Sequence, residues 1–230
     1  MQQEAVSRKI IISSEIDNQV ASQVVAQIMD INSYDEQMSV LSTYAPEPIE
    51  IFINSGGGSA TDGFAIIGAM EMSETPIITY GLGIVASMAL GIFAKGDIRI
   101  AHRYTRFLYH SVAYGGSGYI KDHEDQLLET DIIQRMYNDL FKETNITKEK
   151  MHEIRENKSN FIFSGKEAVE LGVADDVLLK PQSKFKILPE EEVEQKQLEA
   201  PIDTADGEIE ALKDYLVDMV KKVVDSKDNE

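Results

Sequence analysis

Cysteine is absent from all 230 residues, which excludes disulfides, a thiolate nucleophile and any cysteine-ligated metal. Long apolar runs are missing as well. No stretch of about 18 apolar residues occurs, and Met1 to Arg8 read as polar, so no membrane span, no signal peptide and a cytoplasmic location are expected. Positive charge is scarce: 22 Lys and Arg stand against 40 Asp and Glu, for a net charge of −18. Phosphate binding needs basic patches, so nucleic acid is excluded as the substrate.

The acidic excess is uneven. Between Glu190 and Glu230, 14 acidic and 5 basic side chains carry −9 of the total. That composition sets the tail apart. Residues 1–180 read as one α/β domain, 181–206 as an acidic linker and 207–225 as an amphipathic helix. In the helix Ile209, Leu212, Leu216, Met219 and Val223 recur at alternating spacings of three and four. Two heptads are too short to be stable alone, so this helix needs a surface to dock on.

Within the domain, β and α patterns alternate as a layered α/β fold requires. Ile10 to Ser13, Ile49 to Asn54, Ile77 to Tyr80, Ile98 to Ala101, Arg106 to Tyr109 and Ala174 to Leu179 read as strands. Asp17 reads as the N-cap of a first helix with Val20, Val24 and Ile28 on one face, and Ala60 to Met72 as a second helix. Asp122 to Thr144 reads as a long helix with Leu128, Ile132, Met136 and Leu140 in one stripe. Thr147 opens a short helix, and Ser164-x-x-Glu167 is a capping box. The polar stretch from Asn32 to Pro48 is expected to be a surface insertion.

Three local features carry chemistry. The strand ending at Tyr80 passes through Gly81-Leu82-Gly83-Ile84-Val85-Ala86 into Ser87-Met88-Ala89, which opens a helix. Unpaired N–H groups at a helix start stabilise an oxyanion, so a serine there suits an acyl-transfer nucleophile. Taken alone, it reads more readily as an ordinary N-cap. Asn54-Ser55-Gly56-Gly57-Gly58 follows another strand, and glycines let backbone N–H groups approach a ligand. A phosphate loop would end in Gly-Lys-Ser/Thr, and no such lysine is present, so a backbone donor to a carbonyl oxygen is the better reading. His110 ends a third strand ahead of Gly115-Gly116-Ser117-Gly118, where a histidine serves as a general base or as a structural hydrogen-bonder.

Asn54-Ser55-x-Gly57-Gly58, Ala86-Ser87-Met88-Ala89, His110 and Phe163-Ser164-Gly165-Lys166-Glu167-Ala168 to Asp175, in this order and spacing, resemble the ClpP serine peptidases and their phage-encoded relatives from about Ile10 to Leu179. The resemblance implies a ClpP/crotonase-like layered fold of repeated ββα units, with a handle made of a glycine-rich strand (Gly115, Gly116, Gly118) and the long helix. It implies Ser87 as nucleophile, His110 as general base, and the N–H groups of Gly58 and Met88 as the oxyanion hole. At the third triad position the family has Asp where this chain has Asn160. An amide can orient the imidazole but brings no charge to stabilise imidazolium.

The resemblance further implies peptide or unfolded-protein substrates, homo-oligomers of stacked heptameric rings, no metal and no organic cofactor. Family members contact an AAA+ unfoldase through an N-terminal segment, and nine residues precede Ile10 here. Two other functions stay open. Crotonase-type acyl-CoA enzymes share the Gly-Gly oxyanion hole without a Ser–His pair, and Asn160 hints at a catalytically silent scaffold.

Overall fold

In a computed structural model that describes residues 6–178, the first strand, β1 (Lys9–Ile12), buries Ile10 and Ile12 and turns Lys9 and Ile11 outward. This is the period-two alternation of a sheet covered on one face. Asp17 accepts the Val20 N–H at 2.9 Å and caps α1 (Asn18–Met38). Ala21, Val24, Ile28 and Ile31 form its buried stripe. There follow β2 (Ile49–Ser55), α2 (Ala60–Met72), β3 (Ile77–Ala86), α3 (Met88–Ala94), β4 (Ile98–His102) and β5 (Arg106–Tyr109). The order continues with α4 (Ile120–Asp139), α5 (Lys148–Asn157), β6 (Phe161–Ser164), α6 (Gly165–Glu170) and β7 (Asp176–Leu178). The 181–206 linker and the 207–225 helix lie outside the described residues.

The sheet runs β1-β2-β3-β4-β7, with β5 attached to β3 and β6 to β5. Among the described residues every strand pairing is parallel except that of β5 with β6. A mostly parallel sheet connected through helices bears out the α/β class. Ile49, Ile51 and Ile53 are wholly buried, and each such side chain stabilises the fold by about 1.5–3 kcal/mol. They join Ile28 and Ile31 of α1 and Ile66 and Ile67 of α2 in one core. On the opposite face the register aligns Ile11, Phe52, Tyr80 and Ile100 in a row across four strands. Ile11 there is 70% exposed, and the Phe52 and Tyr80 rings stack at 4.7 Å.

Strand β3 changes partner along its length, and this positions the site. Ile78 to Gly81 pair with β4, whereas Ile84 to Ala86 pair with β5. Between them Gly83 adopts φ 54°, and Asn54 Oδ1 accepts the Ile84 N–H at 3.1 Å across the irregularity with β2. A Cβ on Gly83 would lie 2.5 Å from Asn54 Oδ1. The kink therefore needs a glycine and is held by the asparagine.

Three expectations are corrected. The Asn32 to Pro48 stretch is not simply a surface insertion, because α1 runs on to Met38 and only the remainder is a connection. The long helix starts at Ile120 and ends at Asp139, with turns carrying the chain to the Thr147 cap of α5. Gly115, Gly116 and Gly118 form no strand. The Ser164–Glu167 capping box is present in both directions.

Asp35 explains why α1 keeps its last turns. Arg8 donates to both its carboxylate oxygens, Tyr44 to one, and Thr75 Oγ1 to the other at 2.5 Å. The Arg8 hydrogen bonds outweigh desolvation and hold the carboxyl at about 2 instead of 3.8. A carboxyl depressed on folding contributes stability above its unfolded pKa, here about 2 kcal/mol, and that contribution fades as pH falls from 3.8 towards 2. Urea unfolding across this range should show Asp35→Asn losing that contribution at neutral pH and having a shallower acid limb. Equal acid limbs in the two proteins would contradict the assignment.

Candidate active site

Ser87 follows β3 directly, and its N–H donates to Leu108 O of β5 at 2.9 Å. Its backbone stands at φ 53°, ψ −129°, and among the described residues Lys158 is the only other non-glycine with positive φ. Such a conformation costs about 1–3 kcal/mol and persists only where neighbours enforce it. Here they do: Ser87 O accepts from Leu90 N and from the Tyr137 hydroxyl, both at 2.9 Å. The Ser87 side chain makes no capping bond, so the ordinary N-cap reading fails. Its hydroxyl has no hydrogen-bond partner among the described residues.

The glycine loop lies against this turn. Gly57 has φ 98°, and a Cβ there would meet Ser87 Cβ at 2.6 Å, Ala86 O at 2.7 Å and Met88 N at 3.0 Å. Gly58 has φ 150°, and a Cβ there would lie 2.3 Å from Ile16 O. Ile16 ties the loop down, donating its N–H to Gly57 O at 2.9 Å and accepting from Ser59 N at 2.8 Å. Ser55 Oγ accepts the Gly57 N–H at 3.1 Å and donates to Ser14 O at 2.6 Å. With Gly57 engaged, the N–H groups of Gly58 and Met88 have no acceptor among the described residues.

His110 and Asn160 stand at neighbouring strand ends. The antiparallel register pairs Tyr109 with Phe161. Extended by one residue, it sets His110 opposite Asn160. The parallel register pairs Ala86 with Leu108, so Ser87 and His110 leave adjacent strands at the same edge. The side chains are not joined: no hydrogen bond links Ser87 to His110, and Asn160 is exposed and makes none among the described residues. Instead His110 Nδ1 lies 2.7 Å from Ser111 O. A carbonyl oxygen only accepts, so Nδ1 carries the proton and the neutral ring keeps its lone pair on Nε2.

Sequence reading missed the support that α4 gives. Gln134 and Tyr137 are its buried residues. Gln134 Oε1 accepts the Val112 N–H at 2.7 Å, and its Nε2 donates to Asn138 Oδ1 at 2.6 Å. Tyr109 also donates to Asn138 Oδ1, at 2.5 Å. Burial pushes the Tyr109 phenol up to about 12 and Tyr137 well above its ordinary value, so both remain O–H donors. The same helix leaves Leu128 and Ile120 exposed, at 66% and 82%.

The arrangement offers a strained serine, two free N–H groups and a histidine of defined tautomer on one sheet edge. A family model described as Clp protease matches residues 1–181. The chain is also similar to the ATP-dependent Clp protease proteolytic subunit of Pleurastrum terricola, with 29% identity over 171 residues, 73% of this chain and 82% of the relative. A match over this much of the chain, together with the mostly parallel α/β sheet, shows that the chain belongs to the Clp protease family.

Proposed function

We propose that the protein is a serine endopeptidase that hydrolyses short or unfolded polypeptides through an acyl-enzyme at Ser87. The observation that carries this reading is the Ser87 backbone, held at φ 53° with its hydroxyl uncommitted beside the unpartnered N–H groups of Gly58 and Met88. In the reaction Ser87 Oγ bonds to the scissile carbonyl carbon as its proton passes to His110 Nε2. The oxyanion accepts the Gly58 and Met88 N–H bonds. Collapse breaks the C–N bond, and the leaving amine takes the proton from Nε2. Water then gives a proton to Nε2 as its oxygen attacks the acyl carbon, and Ser87 departs with that proton.

Ser87 and His110 meet only after a side-chain adjustment, as is common before a substrate binds. Assembly supplies the setting for it. Leu127, Leu128, Ile132 and Met136 form an exposed apolar stripe on α4, and the row from Ile11 to Ile100 is a second apolar face. Contiguous exposed apolar surface of this kind marks interfaces. Stacked heptameric rings built through α4, and an AAA+ unfoldase that feeds them, are the partners that fit this family.

Activity should therefore depend on concentration. Sedimentation and peptide turnover measured on one dilution series should show turnover vanishing with the oligomer while circular dichroism still reports a folded chain. A fully active monomer would defeat the proposal of a self-compartmentalised enzyme. Turnover retained by the assembled Ser87→Ala variant would defeat the serine mechanism.

A further inference from the structure

The geometry points to the Ser111–Val112 peptide group, fixed by Gln134 of α4, as the partner that orients His110, in the role that a carboxylate side chain fills in a Ser-His-Asp triad. The inference rests on His110 being the general base. Ser111 O and Val112 N belong to one peptide plane, and the plane is held from both sides. Its carbonyl lies 2.7 Å from His110 Nδ1, and its N–H donates to Gln134 Oε1 at 2.7 Å. Gln134 is 4% exposed, and its amide is fixed in turn by Asn138 Oδ1 at 2.6 Å, which also accepts from Tyr109. The chain of bonds is unbroken from the body of α4 to the imidazole.

Each link has a direction. Gln134 Nε2 can only donate and Asn138 Oδ1 can only accept, so Gln134 Oε1 is turned towards the Val112 N–H. Donation by that N–H polarises the peptide and makes its carbonyl a better acceptor. The carbonyl selects the Nδ1–H tautomer and leaves Nε2 free for the Ser87 proton. The Ser111 side chain takes no part, since its hydroxyl is buried without a partner. Asn160 is exposed and has no hydrogen-bond partner among the described residues, although the register brings it opposite His110. Gln134 is thus a positioning residue, and α4 communicates with the site through a backbone group that a side-chain motif cannot reveal.

The test is the tautomer of His110, read from ring ¹⁵N shifts of the assembled, histidine-labelled protein at a pH where the ring is neutral. The wild type should show Nδ1–H. Gln134→Leu should give a tautomer mixture and lower kcat about tenfold with KM unchanged, as loss of one neutral hydrogen bond implies. Asn160→Ala should leave the tautomer as it is. An Nε2–H wild-type ring, or a tautomer that follows Asn160→Ala and ignores Gln134→Leu, would overturn the inference. Should Gln134→Leu fail to fold, the wild-type ring and Asn160→Ala still decide the matter. Retained turnover in His110→Ala is a separate outcome, and it would sink the peptidase reading itself.

Discussion

Ser87→Ala and His110→Ala are each expected to lower peptide turnover by at least about 10³-fold, and the double variant by no more than either single one, because residues that act as one unit are not additive. The expectation follows from the sheet edge. Ser87 leaves β3 and His110 leaves β5 beside it, tied by the Ser87 N–H bond to Leu108 O at 2.9 Å. Without Ser87 no acyl-enzyme forms, and His110 has nothing to deprotonate. Without His110 the hydroxyl keeps its proton. Steady-state kinetics on the four proteins checks this, and multiplicative losses would mean that the two side chains act separately.

Gly57→Ala should be nearly as damaging, with turnover reduced by more than about 10²-fold, the scale of a lost oxyanion donor. The new methyl would meet Ser87 Cβ at 2.6 Å and Ala86 O at 2.7 Å, and the backbone there stands at φ 98°. None of these neighbours is the end of a flexible side chain, so the loop must back away from Ser87 and take the Gly58 N–H with it. Strain at positive φ adds about 1–3 kcal/mol of lost stability. Thermal unfolding beside kcat separates the two effects. A normally folded Gly57→Ala enzyme with undiminished kcat would remove Gly58 from the oxyanion hole.

Much of this was legible in the sequence, because strand alternation and capping are local. Asp17, Thr147 and Ser164 accept the N–H bonds expected of caps. The strand Arg106–Tyr109 and the helix Ala60–Met72 have the expected bounds. The motifs set Ser87, Gly58 and His110 just past strands, and the structure has them there, beyond β3, β2 and β5. What could not be read was long-range and polar. The stripe Leu128, Ile132, Met136 marks the apolar face of α4, which is exposed, whereas the face turned inward carries Gln134 and Tyr137. Periodicity sees only hydrophobicity, so it marks the exposed stripe and passes over the polar residue by which α4 holds the site. Asp35 was hidden in the same way: a charge in a polar stretch reads as surface until Arg8, Tyr44 and Thr75 are found around it. The Ser111 carbonyl has no sequence signature at all.

The central claim is that Ser87 is an activated nucleophile. Reaction of the assembled protein with a fluorophosphonate, followed by peptide mapping in a mass spectrometer, tests it most directly. The account predicts one adduct, on Ser87, formed far more slowly in His110→Ala and lost on unfolding. An intact protein with no adduct at Ser87, or Ser87 labelling at the same rate with and without His110, would contradict it.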